Sequence, residues 1–305
     1  MTTSKFWLEL SDRHRADLDR YGHEAIKRRQ AFKYFNWNWR WKYAHKSEQL
    51  RFLLTHMHPA DLFAAMAPAI LDDAAWAGAP LGKADRWLYT FAVRLLWQYA
   101  AEHGSAEVLA LEEPEQGAPL PVHWRGRLIS QDLANSALEI RAMQRALGNL
   151  KPQRIVEVGA GYGRNAYALL SIYPECHYTI IDIEPALSIS REYLLRLFPA
   201  ERLTFLDALQ LPAELPNVSL ALSISSLQEM KPEVVQGYLE LFDRIAAGGV
   251  VYLKQWTSWR NPVDGVTLTF ESYPFPRRWR SLFSERAPVQ TRFTQAAWSV
   301  PGKAS

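Results

Sequence analysis

The chain is 305 residues long, 48% apolar and 22% charged, with a net charge of +3. That composition supports a sizeable core and excludes wholesale disorder, and so small a positive excess lacks the concentrated basic face that binding along a phosphate backbone requires. A lone cysteine, Cys176, rules out an internal disulfide. Neither a signal segment nor an apolar run of spanning length is present, so neither nucleic acid nor membrane is expected as a partner, and the cytoplasm is the expected compartment.

Eight of the twelve tryptophans precede residue 125, which sets the first part of the chain apart from the rest. Trp37, Trp39 and Trp41 alternate beside Tyr34 and Tyr43 in a stretch rich in basic residues. Such a grouping suits a core, a contact in a homodimer, or a lid over a ligand. Helical spacing covers residues 59 to 76, broken or kinked at Pro68, and recurs over 84 to 102, where Leu88, Phe91, Leu95 and Tyr99 fall on one side and His103-Gly104 ends the run. The stretch Glu112-Glu-Pro-Glu-Gln-Gly-Ala-Pro-Leu-Pro121 reads as an exposed connection. A mainly helical region, 1 to 124, is therefore expected before a second domain, 125 to 305.

The second domain opens with a helix capped by Ser130, which puts Leu133, Ala137, Ile140, Met143 and Leu147 on one face. Strand and helix then alternate: strand 154 to 158, helix 164 to 173, strand 177 to 183, helix 186 to 198, strands near 203 to 206 and 218 to 224, helix 232 to 246, strand 250 to 254. This alternation implies an α/β, Rossmann-like, doubly wound parallel sheet. After Lys254 the segments become aromatic and proline-broken. Strands near 280 to 283 and 291 to 298 would form an antiparallel hairpin appended to the sheet edge.

Between the first strand and its helix lies Glu157-Val-Gly-Ala-Gly-Tyr-Gly163. Gly159, Gly161 and Gly163 permit φ > 0 and a close approach of a ligand to the backbone, and the following helix presents free N–H groups. A dinucleotide loop needs its third glycine one position later, where this chain has Arg164, and no Gly-Lys-Ser/Thr follows as in a phosphate-binding P-loop. S-adenosylmethionine (SAM) carries an ammonium and no pyrophosphate, so Glu157, two residues before the first glycine, suits it. Asp182, 19 residues after Gly163 at the end of the next strand, is placed to take both ribose hydroxyls, with Ile183 beside it. Asp207 and Ala208, after the third strand, are placed to meet the adenine.

These residues resemble the class I SAM-dependent methyltransferases, and more narrowly a bacterial sugar O-methyltransferase family. The resemblance rests on Ile155-Val-Glu-Val-Gly-Ala-Gly-Tyr-Gly-Arg-Asn-Ala-Tyr167, Tyr178-Thr-Ile-Ile-Asp-Ile-Glu-Pro-Ala-Leu187 and Ser225-Ser-Leu-Gln-Glu-Met230, and covers about residues 125 to 256. It implies a seven-stranded methyltransferase sheet with SAM at its carboxyl edge and a small-molecule acceptor. Glu184 and Gln295 depart from the family's pattern.

Methyl transfer from a sulfonium is an in-line displacement, so catalysis comes from positioning, and a hydroxyl acceptor also needs a base within hydrogen-bond reach. The fourth strand delivers Gln228 and Glu229 to the sheet's carboxyl edge, Glu229 as base or acceptor-orienting carboxylate and Gln228 as its neutral partner. Tyr162, Lys254 and Trp256 are the expected acceptor contacts, with Gln255 and Arg260 close by. The histidines show no ligand spacing; His56 and His58 lack a third partner, His123 lies just before the core, and a metal-independent enzyme is expected. Two alternatives remain: an N-methyltransferase whose amine or guanidinium acceptor is held by Glu229, and a SAM-binding regulatory module without catalysis.

Overall fold

A computed structural model describes residues 5–24, 26–28, 44–66, 74–77, 81–263 and 265–302. Trp37, Trp39, Trp41, Tyr34, Tyr43 and Pro68 lie outside the described residues. The chain forms two compact units, one of residues 17–141 and 288–290 and the other of residues 1–16, 142–287 and 291–305.

The mainly helical unit contains α2 (Ala44–His56), α3 (Pro59–Met66), α4 (Lys83–His103), α5 (Ala106–Leu109), the hairpin β1 (Val122–Trp124) and β2 (Arg127–Ile129), and the first part of α6 (Gln131–Leu147); α1 (Lys5–Tyr21) precedes them. The 84 to 102 pattern becomes α4, buried on nearly every side between Tyr89 and Ala100 rather than along one stripe. Thr90, Arg94 and Gln98, one helical turn apart, are buried with the apolar residues. Trp97 donates its indole N–H to the carbonyl of Ser130, and the Arg94 guanidinium lies 4.9 Å from the Trp124 ring. Ser130 caps α6 as its sequence implies, its Oγ accepting from the Leu133 N–H at 3.0 Å. The hairpin was not legible in advance. Its tight turn has Arg125 at φ 50° and Gly126 at φ 82°, the two positive φ angles that a two-residue hairpin connection demands.

The α/β unit is a seven-stranded sheet: β3 (Arg154–Val158), β4 (His177–Asp182), β5 (Leu203–Asp207), β6 (Leu220–Ile224), β7 (Val250–Trp256), β10 (Arg280–Arg286) and β11 (Phe293–Ser299). Across the sheet the order is β10-β11-β7-β6-β3-β4-β5. The five strands from β5 to β7 run parallel; β11 joins antiparallel to β7 and β10 antiparallel to β11, as the expected hairpin at the edge. The helices α7 (Arg164–Ile172), α8 (Ala186–Leu195) and α9 (Pro232–Ile245) lie between successive strands. A small hairpin of β8 (Ser258–Arg260) and β9 (Thr267–Thr269) separates β7 from β10.

Burial explains why these segments became central strands. From Val250 to Gln255 every residue of β7 is buried, the continuous pattern of a parallel strand covered on both faces. Outer strand β10 is exposed at six of seven positions and carries Arg280, Glu285 and Arg286, charges that discourage pairing with another sheet. Proline at the first position of α9 supplies a preset φ, and Val235, Tyr238, Leu239, Phe242 and Ile245 bury one face of that helix against the cluster of Val156, Ala221, Val251 and Trp298. Among the described residues no helix is long and apolar enough to cross a membrane.

Candidate active site

In this sheet the chain leaves the central strand β3 toward β4 on one side and reaches β6 on the other, so the strand order reverses between β3 and β6. Open α/β sheets bind ligands at such a reversal, in the crevice beyond the carboxyl ends of the strands. Two loops meet there. A Cβ added to Gly159 would lie 2.0 Å from Ser226 Oγ, so the turn after β3 and the turn after β6 touch backbone to side chain. Gly159 stands at φ 76° and donates to the Ile181 carbonyl at 2.9 Å, and both constraints fix glycine at this position. Gly161 and Gly163 follow at φ 61° and 94°, and α7 begins directly after them.

Asp182 ends β4 and is 5% exposed. Its Oδ2 accepts the Gly161 N–H at 3.1 Å and its Oδ1 accepts the Ile183 N–H at 2.8 Å. The carboxylate therefore shapes the glycine loop while it faces the same edge. Burial pushes its pKa up to about 7, against the pull of the backbone N–H groups of Ile183, Gly161 and Ala160, with Glu184 adding to the rise. A carboxylate offers about four lone-pair positions, so the bonds from Ile183, Gly161 and Ala160 leave capacity for a further hydroxyl donor. Asp207 stands beside Asp182 in register, its Oδ1 accepting from Leu209 N–H at 2.9 Å, while Ala208 donates to the Asp182 carbonyl at 2.9 Å. Tyr238 of α9 was not singled out in the sequence. Burial, then the charges of Asp182 and Asp207, push its phenol pKa up.

Glu157 is buried within β3, and its Oε2 accepts from the Tyr178 hydroxyl at 2.7 Å. Its acid thus anchors the strand pair below the loop. Burial and then the Glu157 charge raise the Tyr178 phenol, keeping it a donor. Tyr162 in the glycine loop is also buried, edge-on to Tyr193 of α8 with ring centroids 5.3 Å apart.

The turn after β6 carries the acid expected to face the acceptor. Ser225 has φ 55°, a left-handed conformation uncommon for serine, and its N–H donates to the Lys254 carbonyl at 2.8 Å. Gln255 of β7 braces the same turn: its Oε1 accepts the Ser226 N–H at 3.0 Å and its Nε2 donates to the Ser223 carbonyl at 2.9 Å. A turn held in a sparsely populated conformation by a buried side chain is the kind of strain that collects at functional sites. It presents Leu227, Gln228 and Glu229 in one turn of 3₁₀ helix, all buried, Glu229 at 0% exposure. Gln228 Nε2 donates to Ser225 Oγ at 3.2 Å and approaches Glu229 Oε1 at 3.4 Å. Lys254 is buried in β7 with its ammonium 5.7 Å from the Phe293 ring, and Trp256 packs tilted on the same ring at 5.2 Å. Arg260 is exposed on β8, and His123 is exposed on β1 in the other unit. Among the described residues no three His, Cys, Asp or Glu side chains gather as a metal site would require.

A glycine loop at the strand-order reversal of a seven-stranded sheet, with carboxylates at the ends of the next two strands, defines a doubly wound α/β protein. No family model and no curated protein matches the chain. Solved structures of similar fold include the CcbJ methyltransferase from Streptomyces caelestis, at 11% identity over 49% of this chain and 84% of that one, with a TM-score of 0.38. TrmN from Thermus thermophilus is 18% identical over 54% of this chain and 48% of its own, at 0.41. The glycopeptide N-methyltransferase MtfA is 14% identical over 53% and 95%, at 0.39.

Proposed function

We propose that the protein is a SAM-dependent methyltransferase acting on a hydroxyl of a small molecule, a sugar or glycosylated metabolite. The observation that carries the reading is the contact of the Gly159 turn with the Ser226 turn at the strand-order reversal, which sets a ligand-accommodating loop beside the buried Gln228-Glu229 pair. The donor set fits the cofactor: glycines at positive φ for close approach, Asp182 with acceptor capacity left for a ribose hydroxyl, and Asp207 and Ala208 at the next strand end for the adenine. SAM, when bound, supplies an electrophilic methyl group on a sulfonium.

The chain's own residues supply the rest. Asp182 and the loop fix the cofactor, while Ser226 and Gln255 hold the following turn rigid, so that donor and acceptor meet in near-attack geometry. Glu229 would take up the proton that the acceptor's hydroxyl loses when the methyl group leaves the sulfonium for that oxygen. Its burial strengthens that interaction by excluding water. Gln228 keeps the carboxylate oriented through its Nε2.

The test is a methyl-transfer screen of the full chain with SAM over sugars, nucleotide sugars, amines and amino acids, with products resolved by mass. A methylated sugar, formed by the wild type and lost in Glu229→Gln, supports the reading. An N-methylated product as the sole one replaces it with the alternative in which Glu229 holds a cation. Tight binding of S-adenosylhomocysteine (SAH) with no transfer to any acceptor favours the regulatory reading.

A further inference from the structure

One side chain near Glu229 has no part in the chemistry above. Tyr273 follows the short turn Phe270–Ser272, in the segment between β9 and β10, and is 5% exposed. Its ring is fixed between aromatic neighbours, with centroids 5.7 Å from Phe270 and 5.9 Å from Phe275. Trp279, Trp298 and Leu227 of the Glu229 turn belong to the same packed cluster. The ring therefore has little freedom to redirect its hydroxyl.

That hydroxyl is buried and has no hydrogen-bond partner among the described residues. Buried hydroxyls in native proteins are nearly always bonded, so one with no protein partner in a rigid aromatic setting calls for a partner from outside the chain, a water or a ligand group. Leu227, two residues before Glu229, belongs to the cluster that holds Tyr273, and the Glu229 charge reaches the phenol. Burial first, and that charge second, hold the phenol proton on, which makes Tyr273 a donor and not a base. Gln228 shows the complementary vacancy. Its Nε2 is engaged by Ser225 and Glu229, while its Oε1 is buried without a partner among the described residues. An orphaned donor and an orphaned acceptor thus accompany one buried carboxylate.

We propose that Tyr273 binds the methyl acceptor, donating its hydroxyl hydrogen to an acceptor oxygen adjacent to the hydroxyl held by Glu229, while Gln228 Oε1 takes a further acceptor hydroxyl. The ligand class is a neutral polyhydroxylated molecule with oxygens on neighbouring carbons. An ammonium or guanidinium offers donors alone and would leave the phenol hydrogen unmet, so Tyr273 discriminates against cationic acceptors. This assignment rests on the methyltransferase reading and adds to it a specificity-determining residue from a part of the chain in which no acceptor contact was expected.

The experiment compares the wild type with Tyr273→Phe, which keeps the ring and removes the hydroxyl alone. SAH affinity is measured first, by calorimetry. Thermal unfolding of each SAH-loaded protein is then followed with and without methyl glycosides of the common hexoses, each at about 50 mM, because a ligand that binds the folded state raises Tm. Without glycoside, Tyr273→Phe is expected to bind SAH within about twofold of the wild type and to unfold at the same temperature or higher, since no internal bond is lost. At least one glycoside is expected to raise the Tm of the wild type and not that of the variant. A variant that unfolds several degrees lower would show that the hydroxyl serves the fold. An equal glycoside shift in both proteins, or no shift with any glycoside in the wild type, would also overturn the assignment. Failure of the wild type to bind SAH would overturn the underlying methyltransferase reading instead, a result read before any glycoside is added.

Discussion

Asp182 carries a prediction that separates a cofactor-binding carboxylate from a merely structural one. In the protein without ligand its burial pushes the pKa up to about 7. A ribose hydroxyl donates to the ionised form and holds it ionised in the complex. Protons and SAH therefore compete, and the apparent dissociation constant is multiplied by one plus the ratio of protonated to ionised Asp182. That factor is about 11 at about pH 6, about 2 at pH 7 and about 1.1 at pH 8, so SAH binds roughly tenfold more tightly at pH 8 than at pH 6, or about 1.4 kcal/mol. Calorimetry of SAH binding across this range, in two buffers of different ionisation enthalpy, gives both the slope and the proton released, close to one per SAH at the acid end. Asp182→Asn cannot titrate and is expected to bind more weakly with no slope in this window. Affinity that is flat between about pH 6 and 8 in the wild type, or a slope that persists in Asp182→Asn, would refute the assignment of this carboxylate to the ribose. Stability runs the opposite way. A folded-state pKa raised above the ordinary 3.8 means that the unfolded chain ionises first, so stability falls as the pH climbs from about 4 to about 7 and then levels off.

Three further outcomes follow from the same geometry. Gly159→Ala places a methyl 2.0 Å from Ser226 Oγ at φ 76°, and is expected to cost about 1 to 3 kcal/mol in chemical denaturation and to abolish detectable SAH binding by calorimetry. Glu229→Gln preserves the shape of the turn and should leave SAH affinity within about twofold, while methyl transfer to the true acceptor falls by about a hundredfold or more in single-turnover assays. Phe242→Ala empties a fully buried position on α9 and should lower stability by about 3 to 5 kcal/mol in urea unfolding, with the SAH affinity of the folded fraction unchanged.

Periodic burial made the α/β part readable. The expected strand 154 to 158 is β3 at the same bounds, and the edge hairpin follows the change of rhythm after Lys254, because apolar runs and the glycine turn are local signals. Strand β7 runs two residues past the expected end, through Gln255 and Trp256, because a polar side chain that braces a neighbouring turn carries no strand signature in the sequence. In the same way Glu157 advertised its charge but not its partner: Tyr178 lies 21 positions away and meets it only once β3 and β4 pair. Tyr273 was invisible for a related reason. It sits among aromatic residues outside any regular element, and its meaning comes from the distant Glu229 turn, whose Leu227 folding brings into the same cluster. The spacing of Leu88, Phe91, Leu95 and Tyr99 implies one apolar side of α4, whereas Thr90, Arg94 and Gln98 are buried as well.

The proposed function requires the Glu157–Gly163 loop and Asp182 to hold SAM rather than a dinucleotide. Parallel calorimetric titrations of the full chain with SAH and with NAD, at about pH 8 where Asp182 is ionised, test it most directly. Saturable one-to-one binding of SAH is expected, with no heat of binding for NAD. Saturable binding of NAD, or no binding of SAH, would contradict it.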